Sequence, residues 1–412
     1  MRAGSVLFRF NTRSAMATAA AVAALALAGV WAAAAEAMPR KGPAGLAFYK
    51  PPKQLPKGHG KLIWARKAGG LVPLADAAAT KLVLYTSRSP QGKLIAVSGS
   101  VSVPEGKAPK PGWPVISYGH GTGGIADICA PSRNAAGGPA QPYTSYIDPE
   151  LNAWLRAGYA VARTDFPGLG TPGRHSYLVG ESEGRGVLDI VKAARQLQRD
   201  RARGNIGRRF LLAGHSQGGH AVLFAAGLAK RWTPRLQLQG TVSYAPASHL
   251  REQTSLLPAL TSPSPLSALA TMILAGAATQ SAAIDVPTLL SDPALGFYPQ
   301  IDRVCLQQLS EPSSLGGIAP SALLRPGADT TALLAELERM NPAVRSSAPI
   351  LIAQGKADAT VFELFTNQLD DELAALGNDV TYLTYDGVDH GAIVSAAAAD
   401  ALAFFEARLP SP

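Results

Sequence analysis

A large α/β fold, with a mostly parallel sheet flanked by helices and a helical insertion before its last strands, is predicted by three observations. From about residue 81 short β-type runs alternate with helical patterns. The alternation breaks between about 246 and 348, in Pro- and Ser-rich sequence, and then resumes for two more strand–helix pairs. Composition is the third: 47% hydrophobic and 16% charged residues over 412 positions supply a large core and exclude a disordered chain. The 41 Gly and 32 Pro follow no fixed period, which excludes a collagen-like chain. No internal repeat is present. The length admits two or three domains, or one large domain with an insertion.

Taken in order, the first 37 residues read as a leader. Arg2, Arg9 and Arg13 form a basic region, an apolar run follows from Met16 to Ala35, and Ala35-Glu36-Ala37 gives an A-x-A cleavage site. The rival reading is an uncleaved anchor, but an alanine-rich run is a weak one. An exported protein, periplasmic or secreted, is therefore expected, with no stable membrane span after cleavage. No cysteine follows the site, so lipoprotein attachment is not expected. The formal charge of +9 includes those three arginines.

Residues 38–80 are expected to form an N-terminal arm. Residues 81–87 and 94–104 read as antiparallel strands around Ser89-Pro90-Gln91-Gly92, and 114–119 as a strand ending in a Gly-rich loop. A helix over 147–158 leads to a strand over 159–165. A helix over 183–198, a strand over 209–213, a helix over 218–229 and a strand over 236–244 follow. After the break come a strand over 349–354, a helix over 361–376, a strand over 379–385 and a helix over 391–408. This divides the mature chain into a core, 81–248 and 349–412, and an insertion over 249–348. An insertion of that length is expected to be a cap or lid and not a bare loop. Within it, 266–284 reads as a buried or pocket-covering helix. Leu256, Leu257, Leu260, Leu266, Leu269, Met272, Ile273 and Leu274 would either line an apolar pocket or pack the cap on itself.

Two segments match G-x-S-x-G: Gly214-His215-Ser216-Gln217-Gly218 and Gly180-Glu181-Ser182-Glu183-Gly184. With ~0.3 matches expected by chance in this length, the pattern decides nothing by itself. A nucleophile elbow needs a strand, a strained turn and a closely packed helix, as in α/β-hydrolases. Arg209–Ala213, the glycines Gly214, Gly218 and Gly219, and the small residues of 221–229 supply all three. Ser182 instead follows a Pro-Gly loop between two carboxylates, which would oppose an oxyanion. It reads as a helix N-terminus, and Ser216 takes the nucleophile's role.

In that fold the partners follow in the order Ser, acid, His. Of the histidines beyond Ser216, His220 lies one turn into the elbow helix and His249 precedes the cap. His390 follows the last strand on a loop able to reach the serine. Asp358, after the strand over 349–354, is the expected acid; Asp386 and Asp389 are rivals that more readily shape the turn. The oxyanion is assigned to two backbone N–H groups. One is that of Gln217; the other is that of Thr122 in Gly119-His120-Gly121-Thr122-Gly123-Gly124, with Gly121 and Gly123 as its near alternatives. The Gly-rich loop has neither P-loop nor dinucleotide spacing.

With these residues assembled, the chain resembles the secretory lipase family of α/β-hydrolases. The resemblance rests on Tyr118-Gly119-His120-Gly121-Thr122-Gly123, Cys129-Ala130-Pro131-Ser132, the run from Thr164 to Gly173, and Gly214-His215-Ser216-Gln217-Gly218-Gly219. It spans about 81–408. It implies the α/β-hydrolase fold, a Ser-Asp-His triad, a helical cap and hydrolysis of carboxylic esters. An exported serine carboxylester hydrolase acting on a small-molecule ester or lipid is thus the leading expectation. The alternatives are a serine peptidase on the same fold and a catalytically silent binding protein.

The remaining features have plainer readings. Cys129 and Cys305 are expected to form a disulfide in an oxidising compartment, tying cap to core. No cofactor and no metal site is expected, since the histidines lack metal-ligand spacing. Arg195, Arg199, Arg201, Arg203, Arg208 and Arg209 form a basic cluster without interleaved aromatics, which reads as a solvated surface, so no nucleic-acid partner is expected.

Overall fold

The protein is described here by a computed structural model covering residues 40–197 and 206–410, with Met1 and Gly4. The leader expected over 1–37 otherwise lies outside the described residues, as do the arginines at 199, 201 and 203 of the basic cluster. Among the described residues no helix is long and apolar enough to cross a membrane.

The strands are β1 (Arg40–Lys41), β2 (Leu62–Lys67), β3 (Ala77–Arg88), β4 (Leu94–Pro104), β5 (Trp113–Gly119), β6 (Ala160–Thr164), β7 (Ile206–His215), β8 (Gln237–Tyr244), β9 (Ile350–Gly355) and β10 (Val380–Tyr385). They form one sheet in the order β1-β2-β3-β4-β6-β5-β7-β8-β9-β10. From β6 to β10 every neighbour is parallel, whereas β2, β3, β4 and β6 pair antiparallel. Strands β5 and β9, each with parallel neighbours on both sides, are buried along their whole length, as parallel strands covered on both faces must be.

The longer helices are α1 (Asp148–Arg156), α2 (Gly180–Ala194), α3 (Gln217–Trp232), α4 (Leu266–Gln280), α5 (Thr331–Arg339), α6 (Glu363–Ala375) and α7 (Ala398–Arg408). Alternate residues of one strand feed opposite layers. Leu211 and Ala213 of β7 pack with Trp154 of α1 and Phe405 of α7. Phe210 and Leu212 pack with Val187 and Ile190 of α2 and Val222 of α3. The insertion folds around a third apolar cluster that includes Met272, Leu274, Leu309 and Leu333.

Two expectations need correction. Residues 38–80 are not only an arm: β1 and β2 lie within them and extend the sheet, β2 antiparallel to β3. The basic residues of β2, Arg66 and Lys67, hid its alternation, yet Ile63 is buried while the strand's rim is partly exposed. Ser182 does lie at a helix N-terminus, but the helix expected from 183 starts earlier and Ser182 is not its cap. Helix α2 begins at Gly180, and Ser182 is buried inside its first turn, accepting a hydrogen bond from the Ser176 hydroxyl at 2.8 Å.

Candidate active site

The carboxyl ends of β7, β9 and β10, with the loop after β5, converge on one cavity of about 590 Å³. Between β7 and α3 the chain turns at Ser216, whose φ of 57° and ψ of −117° leave the regions open to ordinary residues. The turn is held because the Ser216 N–H donates to the Tyr244 carbonyl at 2.9 Å. It is also crowded. A Cβ on Gly218 would overlap the Gly119 carbonyl, and one on Gly214 would overlap Gly218, so only glycine fits at either place.

Asp358 follows β9 in the turn after Gly355, and His390 follows β10. The His390 Nδ1–H donates to Asp358 Oδ2 at 2.7 Å. The other oxygen, Oδ1, accepts the N–H groups of Thr360 and Val361, each at 2.8 Å, which fixes the carboxylate's rotation. That arrangement leaves His390 Nε2 free to act as a base. The rival Asp389 instead accepts the N–H groups of Gly391 and Ala392, and Asp386 pairs with Lys356 at the surface. Ser216 and His390 line the same cavity, while Asp358 is buried behind the histidine. Among the described hydrogen bonds none joins Ser216 Oγ to His390, a contact that commonly tightens only with substrate.

Thr122 lines the cavity beside Gly121, and Gln217 opens α3 directly after the serine. Among the described hydrogen bonds neither backbone N–H is used, so both remain available to an oxyanion. The Thr122 hydroxyl shares a hydrogen bond of 2.8 Å with Tyr177. Beyond Gly123 and Gly124 the loop is pinned to the cap: the Leu306 N–H donates to the Gly123 carbonyl at 2.9 Å, and Cys129 is disulfide-bonded to Cys305.

The apolar residues of the cap divide. Leu256, Leu257, Leu260, Leu266, Leu269, Ile273 and Leu274 line the cavity, whereas Met272 is fully buried in the cap's own core. No Asp, Glu, Lys or Arg lies among the lining residues.

Sequence reasoning passed over His215, the variable residue of the elbow pattern. Its Nε2–H donates to the His390 backbone carbonyl at 2.8 Å, and its Nδ1 accepts from the Tyr146 hydroxyl at 2.5 Å. Burial, reinforced by the neighbouring His390, holds its pKa well below the usual histidine value. A neutral His215 suits both bonds and adds no positive charge beside His390. It also passed over a buried polar group beneath the elbow, formed by His175, Glu183, Gln217 and His220.

The comparisons with known proteins agree with the resemblance read from the motifs. Residues 144–286 match the model of the secretory lipase family. Lipase A of Moesziomyces aphidis is 29% identical over 198 residues, which is 47% of this chain and 41% of that protein. The chain thus spans less than half the length of that curated relative. Among solved structures, Candida antarctica lipase A in its closed state superposes with a TM-score of 0.73 at 19% identity, over 90% of this chain and 86% of that one. A rice cell wall degrading esterase, LipA from Xanthomonas oryzae, gives a TM-score of 0.68 at 17% identity, over 85% of this chain and 98% of that one. The fold these two share with the chain is that of an α/β-hydrolase.

Proposed function

We propose that this chain, which resembles the secretory lipases in sequence and the α/β-hydrolases in fold, is an exported serine carboxylester hydrolase. The observation that carries the reading is His390, hydrogen-bonded from behind by the buried Asp358, opening with the strained Ser216 onto one apolar cavity. In the first half-reaction the Ser216 hydroxyl oxygen bonds to the ester carbonyl carbon while His390 Nε2 takes its proton. The negative charge that develops on the carbonyl oxygen is met by the N–H groups of Gln217 and Thr122. Collapse of the tetrahedral intermediate expels the alcohol, which receives the proton from His390. Water then attacks the acyl-enzyme with His390 as base, and the carboxylic acid leaves as Ser216 is restored.

The uncharged cavity favours an ester over a peptide, because a peptidase acting at a chain terminus needs a charge to hold that terminus. It favours catalysis over silent binding for another reason: a binding protein has no use for a strained serine beside an oriented imidazole. Export is supported by the basic and apolar leader and by the disulfide. The test is turnover of p-nitrophenyl esters from acetyl to palmitoyl, with peptide mapping after reaction with a fluorophosphonate. Turnover together with the label on Ser216 is the expected result. No turnover and no label on Ser216 would sink the reading.

A further inference from the structure

We propose that Glu183, from the G-x-S-x-G segment that does not supply the nucleophile, is a positioning residue for the oxyanion hole, acting through Gln217. The inference rests on the functional reading above, which gives the Gln217 backbone N–H its role.

Glu183 projects from α2 into the contact with α3 and is fully buried. Its Oε1 accepts the Gln217 side-chain amide at 2.7 Å and the Leu178 N–H at 3.0 Å. The same Gln217 nitrogen lies 2.8 Å from His175 Nε2. His175 Nδ1 lies 2.8 Å from the Pro167 carbonyl, so Nδ1 carries the hydrogen and Nε2 accepts. Burial pushes the His175 pKa down, in keeping with a neutral ring. Both amide hydrogens of Gln217 are therefore committed, one to Glu183 and one to His175, and its side chain has one orientation. The residue whose backbone N–H would hold the oxyanion is thus held from behind.

The second oxygen of Glu183 has a different neighbour. His220 Nε2 donates to the Met340 carbonyl at 2.8 Å, which turns Nδ1 toward Glu183 Oε2 at 3.7 Å. Both facing atoms are buried, and neither has a hydrogen-bond partner among the described residues. Two bare lone pairs cannot face each other in a dry site without cost. At 3.7 Å the two atoms face each other without a hydrogen bond. The titratable groups nearby are His175 and Tyr177 from the loop before α2, and His120 from the loop after β5. Among the described residues no lysine or arginine side chain pairs with Glu183.

Glutamine can replace this glutamate: its oxygen accepts the same two N–H groups, and its amide turns a donor toward the unpartnered His220 Nδ1. Leucine keeps the volume and removes every bond. Wild type, Glu183→Leu, Glu183→Gln and Gln217→Met are to be titrated for reactive serine with a fluorophosphonate. Each is then assayed for kcat and KM on a short ester, and for inhibition by a trifluoromethyl ketone whose hemiketal presents the same oxyanion. Glu183→Leu and Gln217→Met should lose about 10- to 100-fold in kcat per titrated serine, with the ketone's Ki raised equally and KM within about threefold. Glu183→Gln should recover both constants to within about threefold of wild type. The proposal is overturned by a wild-type kcat in Glu183→Leu, by a loss seen only as fewer titratable serines, or by Glu183→Gln matching Glu183→Leu. If Glu183→Leu fails to fold, Gln217→Met and Glu183→Gln carry the same comparison. A wild type without turnover or labelling sinks the functional reading and this proposal with it, whereas failure confined to the variants sinks the proposal alone.

Discussion

Ser182 and Ser216 sit in the same five-residue pattern, and backbone separates them. Ser216 is held at positive φ where strand meets helix, with its side chain at the cavity. Ser182 lies in a regular helical turn with its hydroxyl bonded to Ser176. Ser216→Ala should therefore lose on the order of 10⁴–10⁶-fold in kcat. Ser182→Ala should leave kcat intact and cost about 1 kcal/mol of stability, read from a melting curve. An inactive but folded Ser182→Ala would overturn the elbow assignment. His215 calls for a separate test, because it ties Tyr146 to the His390 carbonyl. His215→Phe should keep the ring's bulk, lose both bonds and reduce kcat by about tenfold; an unchanged kcat would show that His390 needs no such tether. Ser216, Asp358 and His390 can be nominated from sequence because each stands at a strand end in a fixed chain order. His215 cannot, since its role depends on Tyr146, 69 residues away.

At the scale of elements, the cap's apolar content left two uses open, and helix α4 serves both. Ile273 faces the cavity and is half-buried, while Met272, one residue back, is sealed in the cap's own core. The turn of 100° per residue between them is what sends neighbours to different surroundings. Ile273→Trp should then fill the acyl end of the cavity and shift the preference among p-nitrophenyl esters toward shorter chains. An unchanged chain-length profile in a folded variant would count against an acyl role for that face. Met272→Trp, by contrast, overpacks a closed core and should cost stability, typically about 1–3 kcal/mol. A helix that is apolar nearly all round does not announce which side meets a cavity, so sequence could name α4 but not orient it. The first two strands were hidden for a related reason. They pair with the antiparallel end of the sheet and carry Arg40, Lys41, Arg66 and Lys67, residues that read as arm and not as strand.

At the scale of the whole molecule, cap and core are joined by the Cys129–Cys305 disulfide across 176 residues and by Arg174, whose guanidinium meets Asp302 and the Tyr298 hydroxyl. Replacing both cysteines by serine should cost about 2–5 kcal/mol, because the closed loop is long. Equal melting temperatures for that variant and wild type under non-reducing conditions would remove the disulfide from the account of stability. The buried histidines make a broader demand on the fold. Burial lowers the pKa of His120, His175 and His215 below the ordinary value. In the unfolded chain each would titrate near about 6.5. Below that pH the unfolded state binds protons that the folded state refuses, so unfolding takes up protons and stability falls with acidity. Each such group contributes about 1.4 kcal/mol per pH unit between its unfolded and folded values, and three acting together about 4. Stability from these groups is thus fully present above about pH 7 and is lost as the pH drops through 6 toward 5. Denaturant unfolding between pH 5 and 8 measures the net slope, to which Asp165, Asp148 and Glu150, whose pKa burial raises, contribute with the opposite sign. His175→Asn should flatten it by about one proton, since a neutral amide at that place has nothing to refuse. A slope that His175→Asn leaves unchanged would mean that this ring is charged in the folded state and that its neutral tautomer is wrong.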